Sequence, residues 1–263
     1  MAQTPKKALV TGASRGIGKA IALALAKKGC EVGIHFRDKQ EEAEQVAGEI
    51  AASGGRYYLF RADFSRPEEV TALADNAWTE MGGIDYLVNN AGVSYKTHFL
   101  DATPEDIELF LNVNFKATFI LTQSIARKMV ESGAEGSIYT ITSVNGLRPG
   151  LGLSAYGASK GALEIIMQGA ALELAPHHIR VNTIAVGAVQ TDINAAVWQN
   201  PELLEKVNEG IPMKRFGQPE EIAAVIADLL DSGSYMTGST IVIDGGLLLM
   251  RGYGKPERYD KGK

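Results

Sequence analysis

Short apolar runs alternate with longer amphipathic stretches along this whole chain, and that alternation constrains its possible folds more than any other feature. Strand-like runs occupy residues 8–11, 31–36, 56–62, 86–89, 137–143, 180–186 and 240–244. Helix-like periodicity occupies residues 17–28, 41–53, 67–81, 104–132, 154–175 and 219–230. Strand–helix alternation with little hairpin signal predicts an α/β fold. We expect a single-domain Rossmann-type doubly wound parallel sheet of about seven strands with helices on both faces.

Local helix-start signals agree with this pattern. Asp38 and Glu41 have the spacing of a capping box that opens the second helix. Pro67 and Pro219 are each followed by two glutamates, which places acids at the positive end of the helix dipole. We expect one domain over residues 1–250 and a polar tail over 251–263, which is either mobile or packed on a neighbouring subunit.

Composition excludes several classes of protein. The 263 residues include 26 basic and 31 acidic side chains, giving a formal charge of −5, and 45% of them are hydrophobic. A disordered chain would have fewer apolar residues and a higher net charge. Nucleic-acid binding needs a basic face, so no nucleic-acid partner is expected. Cys30 is the single cysteine; we expect it to be a small buried side chain, and we expect no bound metal.

No apolar stretch has the length of a membrane span, and Gly12 interrupts the amino-terminal sequence before a secretory signal could develop. A cytoplasmic protein without a membrane partner is therefore expected.

A glycine-rich turn follows the first predicted strand. Gly12 permits a tight turn, Gly16 lets the backbone approach a pyrophosphate, and Gly18 lets the helix pack closely. The N–H groups at the start of the helix attract phosphate. At the first βα turn of an α/β chain, this motif predicts dinucleotide binding by Gly12, Ser14, Arg15, Gly16, Ile17 and Gly18.

The end of the second strand indicates which dinucleotide binds. NAD-selective sites carry a carboxylate there that hydrogen-bonds the ribose 2′-hydroxyl. This strand instead ends at Arg37, and Arg15 lies in the glycine turn, so two guanidiniums are available for a 2′-phosphate. Asp38 is close, but its expected capping role accounts for it. The sequence favours NADP(H) and leaves NAD(H) open.

Tyr156 and Lys160 are four residues apart in a predicted helix and share one of its faces. A phenol has a pKa of about 10, and a neighbouring ammonium favours its ionised form. Ser143, at the end of the fifth strand, can hold a substrate oxygen beside the phenol. A tyrosine and a lysine at this spacing are uninformative alone, so the surrounding motifs decide their meaning.

In combination, these motifs resemble the short-chain dehydrogenase/reductase family over essentially all of residues 6–246. The matching features are TGASRGIG at 11–18, Asp63, Asn-Asn-Ala-Gly at 89–92, Asn114, Ser143, Tyr156 and Lys160. The resemblance implies an NADP(H)-dependent enzyme that moves hydride between nicotinamide and a secondary alcohol or ketone. A non-catalytic dinucleotide-binding protein is the alternative of another class, which the complete catalytic set disfavours.

The resemblance also implies residue roles. Tyr156 would be the acid in carbonyl reduction and the base in alcohol oxidation. Lys160 would lower the pKa of Tyr156 and hold the nicotinamide ribose. Ser143 would orient the substrate oxygen, and Asn114 would anchor a water linked to Lys160. The other cofactor contacts would come from Arg37, Asp63, Phe64, Asn90, Ala91, Gly92, Gly187, Val189 and Thr191. Val186 stands where the family usually has proline, which we expect to loosen the next turn slightly.

A homotetramer is a further implication of the resemblance. One interface would lie between the long helices after the fourth and fifth strands. Apolar residues consistent with it, or with a monomer's core, are Phe115, Ala117, Phe119, Ile120, Ile165, Ile166 and Met167.

Two branches of the family compete for the substrate. Stretches such as 34–46 and 211–225 are similar to the glucose 1-dehydrogenase-like group, which suggests a sugar, a polyol or another small carbonyl compound. The alternative is a 3-oxoacyl-carrier-protein reductase of fatty acid synthesis. Such enzymes typically carry arginines for the acidic carrier where this chain has Ser137 and Leu172. The residues expected near the pocket are His98, Asn145, Leu147, Leu153, Gln190 and Trp198.

Overall fold

The fold is built on a parallel sheet of seven strands in the order β3-β2-β1-β4-β5-β6-β7. The computed structural model describes residues 4–250. The strands are β1 Lys7–Val10, β2 Glu31–Phe36, β3 Tyr57–Arg61, β4 Tyr86–Asn89, β5 Gly136–Ser143, β6 Ile179–Val186 and β7 Thr240–Ile243. Each predicted strand is confirmed with boundaries that differ by at most one residue.

The helices cover both faces of this sheet, as predicted. They are α1 Gly16–Lys27, α2 Gln40–Ala52, α3 Pro67–Met81, α4 Pro104–Phe110, α5 Ala117–Ser132, α6 Val144–Leu147, α7 Ser154–Leu174, α8 Ala195–Trp198, α9 Pro201–Glu209 and α10 Pro219–Ser232. One core layer packs α1, α2 and α10 on the sheet, with Ile21 and Ile226 fully buried. The other packs α3, α5 and α7 on the opposite face, with Leu121 and Leu163 fully buried. Burying one such side chain stabilises the fold by about 1.5–3 kcal/mol.

The expected capping box of α2 is wrong. Lys39 is the N-cap residue of α2 and makes no side-chain cap. The Asp38 carboxylate instead accepts a hydrogen bond from Arg37 Nη2 at 2.9 Å, because a charged neighbour is a stronger partner than a backbone amide. The proline–glutamate starts are confirmed, since α3 and α10 both begin at the predicted proline.

The predicted helix over 104–132 is divided in two. A π-helical turn, Leu111–Lys116, separates α4 from α5 and contains Asn114. The region 187–217 also holds more helix than its sequence suggests. Pro201 there begins α9, and the side chain of Asn200 caps that helix by accepting from two backbone N–H groups.

Three smaller expectations concern Cys30, membrane spans and the tail. Cys30 is 7% exposed and packs in the core, as predicted. Within residues 4–250, no helix combines the length and apolarity that crossing a membrane requires. The tail over 251–263 lies outside the described residues.

Candidate active site

A cleft of about 670 Å³ opens at the carboxyl ends of the strands, where ligands bind in doubly wound sheets. Nearly all of the predicted site residues line it: Gly12, Ser14, Arg15, Gly16, Ile17, Arg37, Asp63, Phe64, Asn90, Ala91, Gly92, Ser143, Tyr156, Lys160, Gly187, Val189 and Thr191. Gly18 and Asn114 are the exceptions, and both are buried behind the lining. In residues 4–250, no group of His, Cys, Asp and Glu side chains has the arrangement of a metal site.

The glycine turn has the geometry that its residues predict. Gly12 and Gly16 have φ angles of 62° and 54°, in the left-handed region that favours glycine. A Cβ on Gly18 would lie 2.2 Å from the carbonyl oxygen of Gly12, so no larger residue fits there. Arg15 is the N-cap residue of α1 and makes no side-chain cap. The first N–H groups of α1 are therefore available to a phosphate.

Thr11 and Asn90 hold this turn against the neighbouring strand. Thr11 Oγ1 accepts hydrogen bonds from the backbone N–H groups of Asn90 and Ala91, at 2.9 and 3.0 Å. The Asn90 side-chain amide donates to the carbonyl oxygens of Thr11 and Gly12 at 2.9 and 3.2 Å. Asn90 thus positions the glycine turn as well as lining the cleft, a role that the sequence analysis did not assign.

His35 is a second positioning residue that the sequence analysis missed. Its Nδ1 accepts from Gly12 N–H at 3.1 Å, and its Nε2 lies 3.1 Å from the carbonyl oxygen of Ala62. The ring stacks on Phe64 with centroids 4.5 Å apart. Burial lowers the pKa of His35 to about 4, so the imidazole is neutral at neutral pH and Nε2–H donates to Ala62.

Both arginines expected at the ribose are present at the cleft, and each is paired with an aspartate. Arg37 pairs with Asp38 at 2.9 Å, and Arg15 pairs with Asp192 at 3.3 Å. All four side chains are about half exposed or more. Exposed pairs of this kind contribute about 0–1 kcal/mol, so an incoming phosphate can replace the carboxylates.

Asp63 combines a structural turn with an available acceptor. Its Oδ1 accepts from the backbone N–H and the hydroxyl of Ser65, at 2.9 and 2.8 Å. Burial raises the pKa of the Asp63 carboxyl, but these hydrogen bonds and the nearby Arg37 and Arg66 bring it below its ordinary value. The group is ionised at neutral pH and can accept a further hydrogen bond.

The Tyr156 phenol meets two serine hydroxyls. Burial raises its pKa above the ordinary value, and hydrogen bonds from Ser143 and Ser94 lower it in part. Ser143 is in turn held by the backbone N–H of Asn145 at 3.1 Å. The ring of Phe110 meets the ring of Tyr156 edge-on, with centroids 6.0 Å apart. Ser143 belongs to the site predicted from the sequence, whereas Ser94 does not.

Lys160 is buried against β5. Its Nζ donates to the carbonyl oxygen of Ile141 at 2.9 Å. Burial lowers the pKa of Lys160 to about 8, and the charge of Glu164 raises it in part. A Cβ on Gly92 would lie 3.5 Å from this Nζ, so the glycine leaves room beside the ammonium.

Asn114 is fully buried and ties the π-helical turn to the loop after β4. Its Oδ1 accepts from Val93 N–H at 2.8 Å, and its Nδ2 donates to Val93 O at 3.0 Å and to Ser159 Oγ at 3.1 Å. These bonds occupy the side chain.

The expectations for the outer pocket are only partly confirmed. Asn145 and Leu153 line the cleft. His98, Leu147, Gln190 and Trp198 do not line it, although Gln190 lies between the lining residues Val189 and Thr191. Trp198 Nε1 donates to Thr191 O at 2.8 Å, so the indole supports the loop after β6 rather than the substrate. Leu147 is 42% exposed, and His98 is exposed as well.

Hydrogen bonds to neighbouring segments hold the turn after β6 in place. Gly187 N–H donates to Ile243 O at 3.0 Å, and Gln190 N–H donates to Gly217 O at 3.0 Å. A Cβ on Gly187 would lie 2.7 Å from Asp244 Cα, so β7 leaves room only for glycine. These contacts position Thr191 without the proline that the family usually has at 186.

Comparison with known proteins identifies the family. A family model described as enoyl-(acyl carrier protein) reductase matches residues 12–248. A crystal structure of a short chain dehydrogenase from Burkholderia cenocepacia J2315, in complex with NADP, superposes with a TM-score of 0.86 at 35% identity, covering 92% of this chain and 97% of that one. The chain belongs to the short-chain dehydrogenase/reductase family. The predicted family, fold class and oxidoreductase activity are thereby confirmed.

Two curated members of this family are similar along nearly their whole length. A glucose 1-dehydrogenase from Gluconobacter oxydans (strain 621H) is 38% identical, covering 93% of this chain and 92% of the relative. A 3-oxoacyl-[acyl-carrier-protein] reductase from Synechocystis (strain PCC 6803) is 36% identical, covering 94% of this chain and 99% of the relative. Short-chain dehydrogenases of both candidate substrate classes are thus similar to this chain.

Proposed function

We propose that this chain is an NADP(H)-dependent oxidoreductase that transfers hydride between nicotinamide and a secondary alcohol or ketone. The observation that carries the proposal is that one cleft joins the glycine turn to Ser143, Tyr156 and Lys160. A sugar, a polyol or another small carbonyl compound is the proposed substrate class, and NAD(H) is the alternative cofactor. The glucose 1-dehydrogenase relative supports that substrate class.

Tyr156 transfers the proton in this reaction. NADPH, when bound, supplies the hydride. Because burial raises the pKa of Tyr156, the phenol is protonated at neutral pH, as the acid in ketone reduction must be. In alcohol oxidation the same group must first lose its proton, so oxidation increases with pH. Ser143, fixed by Asn145, orients the substrate oxygen beside the phenol.

The residues present fit NADP(H). The uncapped start of α1 offers N–H groups to the pyrophosphate, and Arg15 and Arg37 offer guanidiniums to the 2′-phosphate. Asp63 would accept from the adenine amine, and Thr191 would meet the nicotinamide amide. The NADP complex of the Burkholderia relative supports this preference.

Lys160 and Asn114 would complete the site. Lys160, beside Gly92, would hold the nicotinamide ribose hydroxyls through its ammonium. Because the side chain of Asn114 is occupied by Val93 and Ser159, we assign the anchoring of a water linked to Lys160 to its backbone carbonyl.

Reduction of 3-oxoacyl thioesters is the second candidate, favoured by the Synechocystis relative. The position of Leu172 argues against a carrier protein, since an apolar side chain 81% exposed stands where a basic contact is expected. Ser137 is uninformative. It is 3% exposed and accepts from Arg180 Nη2 at 2.7 Å, so a side chain there contacts no partner.

For the assembly we propose a homotetramer, and for the location the cytoplasm. Exposed apolar side chains on α7, Ile165 at 71% and Leu172 at 81%, support an interface along that helix. The sequence features that predicted a cytoplasmic protein support the location.

Substitution Tyr156→Phe tests the proposal directly. We expect wild type to oxidise NADPH with a small ketone and to reduce NADP with a sugar or polyol. The variant should lose at least about 100-fold in turnover, since the proton donor is gone. NADPH binding, followed by nicotinamide fluorescence, should be nearly unchanged. Tyr57→Phe, at a 40% exposed tyrosine on β3, is the matched control and should keep full activity.

The same assay with a short 3-oxoacyl thioester separates the two candidates. Rapid NADPH oxidation with the thioester, and none with sugars, polyols or small ketones, would replace the first candidate by the second. Turnover that survives in Tyr156→Phe would contradict the assignment of the proton donor.

A further inference from the structure

Glu164 is a buried carboxylate in the middle of α7 that the proposed reaction does not use. Its side chain is 4% exposed. Threonine hydroxyls from three different strands donate to it: Thr142 of β5, Thr183 of β6 at 2.6 Å and Thr240 of β7 at 2.7 Å. One carboxylate on α7 therefore contacts side chains from three neighbouring strands of the sheet.

The two oxygens of the Glu164 carboxylate have different partners. Thr142 donates to Oε1, and Thr183 and Thr240 both donate to Oε2. The Thr183 hydroxyl has a second acceptor in Thr240 Oγ1 at 3.0 Å, so the two threonines on Oε2 are hydrogen-bonded to each other as well. Hydroxyl donors leave the net charge in place, so a buried carboxylate needs a positive partner as well.

Lys160 supplies a positive charge on the same helix, although the described residues show no direct ion pair between the Lys160 and Glu164 side chains. It precedes Glu164 by four residues, which is one helical turn, and it is 4% exposed itself. The two side chains reach consecutive residues of β5: Lys160 donates to Ile141 O, and Glu164 accepts from Thr142. The negative charge of Glu164 raises the pKa of Lys160 against the larger effect of burial.

Among the described residues, Glu164 is the charged group that acts on the pKa of Lys160. Tyr156 on the same helix is the titratable neighbour. The strand β5 presents Ser143, the π-helical turn presents Asn114, and the loop after β4 presents Gly92, none of which titrates near neutral pH.

We propose that Glu164 is the counter-charge that keeps Lys160 protonated in the active site, and that it thereby sets the pH range over which Tyr156 works. This inference rests on the proposed function for the roles of Tyr156 and Lys160. Glu164 acts through Lys160 and touches neither substrate nor cofactor, so it is a positioning residue. With Glu164 neutral, Lys160 becomes a neutral amine at a lower pH, and it then no longer favours the phenolate.

Substitution Glu164→Gln tests this with little change in shape, because the amide oxygen can accept from Thr183 and Thr240 while the amide N–H₂ donates to the hydroxyl oxygen of Thr142. The readout is kcat/KM for alcohol oxidation as a function of pH. We expect its rise with pH to move upward by about one unit, so that oxidation at neutral pH falls about tenfold. Glu80→Gln, at an exposed glutamate on α3, removes the same charge from the surface and should leave the profile unchanged. Thr240→Val, which keeps the carboxyl but removes one donor, should move the profile the same way by less.

A second readout needs no turnover. The near-ultraviolet absorbance of the phenolate, compared between each protein and its Tyr156→Phe partner, reports the titration of Tyr156 alone. In Glu164→Gln this titration should move upward as the rate profile does. If Glu164→Gln lowers only thermal stability and leaves both titrations in place, Glu164 is a clamp between α7 and the sheet, and the inference is wrong. A downward shift also overturns it. A wild type without any turnover contradicts the proposed function, while the absorbance titration still decides the role of Glu164.

Discussion

At the scale of single residues, the site depends on buried polar groups that position the cleft lining. His35 is the clearest example, since its two ring nitrogens connect the glycine turn to the end of β3. It performs that role only as a neutral imidazole, because Nδ1 must accept from Gly12 N–H. The protonation state of one buried ring therefore affects both the stability of the fold and the shape of the phosphate-binding turn.

This arrangement predicts a specific loss of stability in mild acid. The pKa of His35 is about 4 in the folded protein, against an ordinary value of 6.5. A depressed folded pKa contributes stability that is fully present above 6.5 and is lost as pH falls toward 4. The loss should approach about 3 kcal/mol of unfolding free energy, measured by denaturant titration across that range. His35→Gln removes the titrating ring, and it should lose less stability than wild type over the same interval. Equal losses in the two proteins would contradict the assignment.

At the scale of secondary-structure elements, the π-helical turn shapes the catalytic end of the cleft. It places Asn114 where one amide bonds both backbone groups of Val93 and the hydroxyl of Ser159. The turn therefore connects the loop after β4 to α7, which carries Tyr156. π-helical turns are rare and frequently occur at functional sites, because an extra residue redirects one side chain or carbonyl.

Removing that amide should weaken the connection between the elements. In Asn114→Ala the partly buried N–H and carbonyl groups of Val93 lose their partner, at a cost of up to about 1–3 kcal/mol for each group that water does not reach. Denaturant unfolding should report the lower stability, and turnover should fall with it. Asn112→Ala, an exposed asparagine in the same turn, is the control and should change neither quantity measurably. Similar stability in both variants would show that the amide bonds are dispensable.

At the scale of the whole molecule, the predicted interface patch divides into two groups. Ala117 and Met167 are buried in the core, and Phe115 and Phe119 stack on each other with centroids 6.5 Å apart. Ile165 remains 71% exposed. Leu172 lies seven residues further along α7. In a monomer, these two apolar side chains are exposed to water, which is unfavourable.

Light scattering of the purified protein should accordingly give four times the mass of one chain. The double substitution Ile165→Glu with Leu172→Glu should shift the mass to a smaller species, because it buries like charges in the proposed interface. Leu203→Glu, at a 44% exposed leucine on α9, is the matched control. A wild-type mass of one chain at micromolar concentration would contradict the tetramer.

Much of this molecule is determined by local sequence. Strand and helix positions follow from hydrophobic period, proline and glycine, which are local properties, so the predicted boundaries of β2, β4 and α3 match the structure. Gly12 and Gly16 are equally local, since their positive φ angles exclude most other residues. Tyr156 and Lys160 depend on helical spacing alone, and family motifs supply their meaning.

Tertiary structure decided the rest, because those features depend on groups far apart in sequence. Asp38 had the spacing of a helix cap, yet a guanidinium next to it was the stronger partner. Trp198 turned out to support a loop rather than a substrate. In the sequence, Glu164 resembles any acidic residue on a helix. The parallel sheet brings it into contact with three threonines, the most distant of which is Thr240. Sequence period determines which face of an element is buried, whereas the electrostatics of a buried group depend on which strands the fold places beside it.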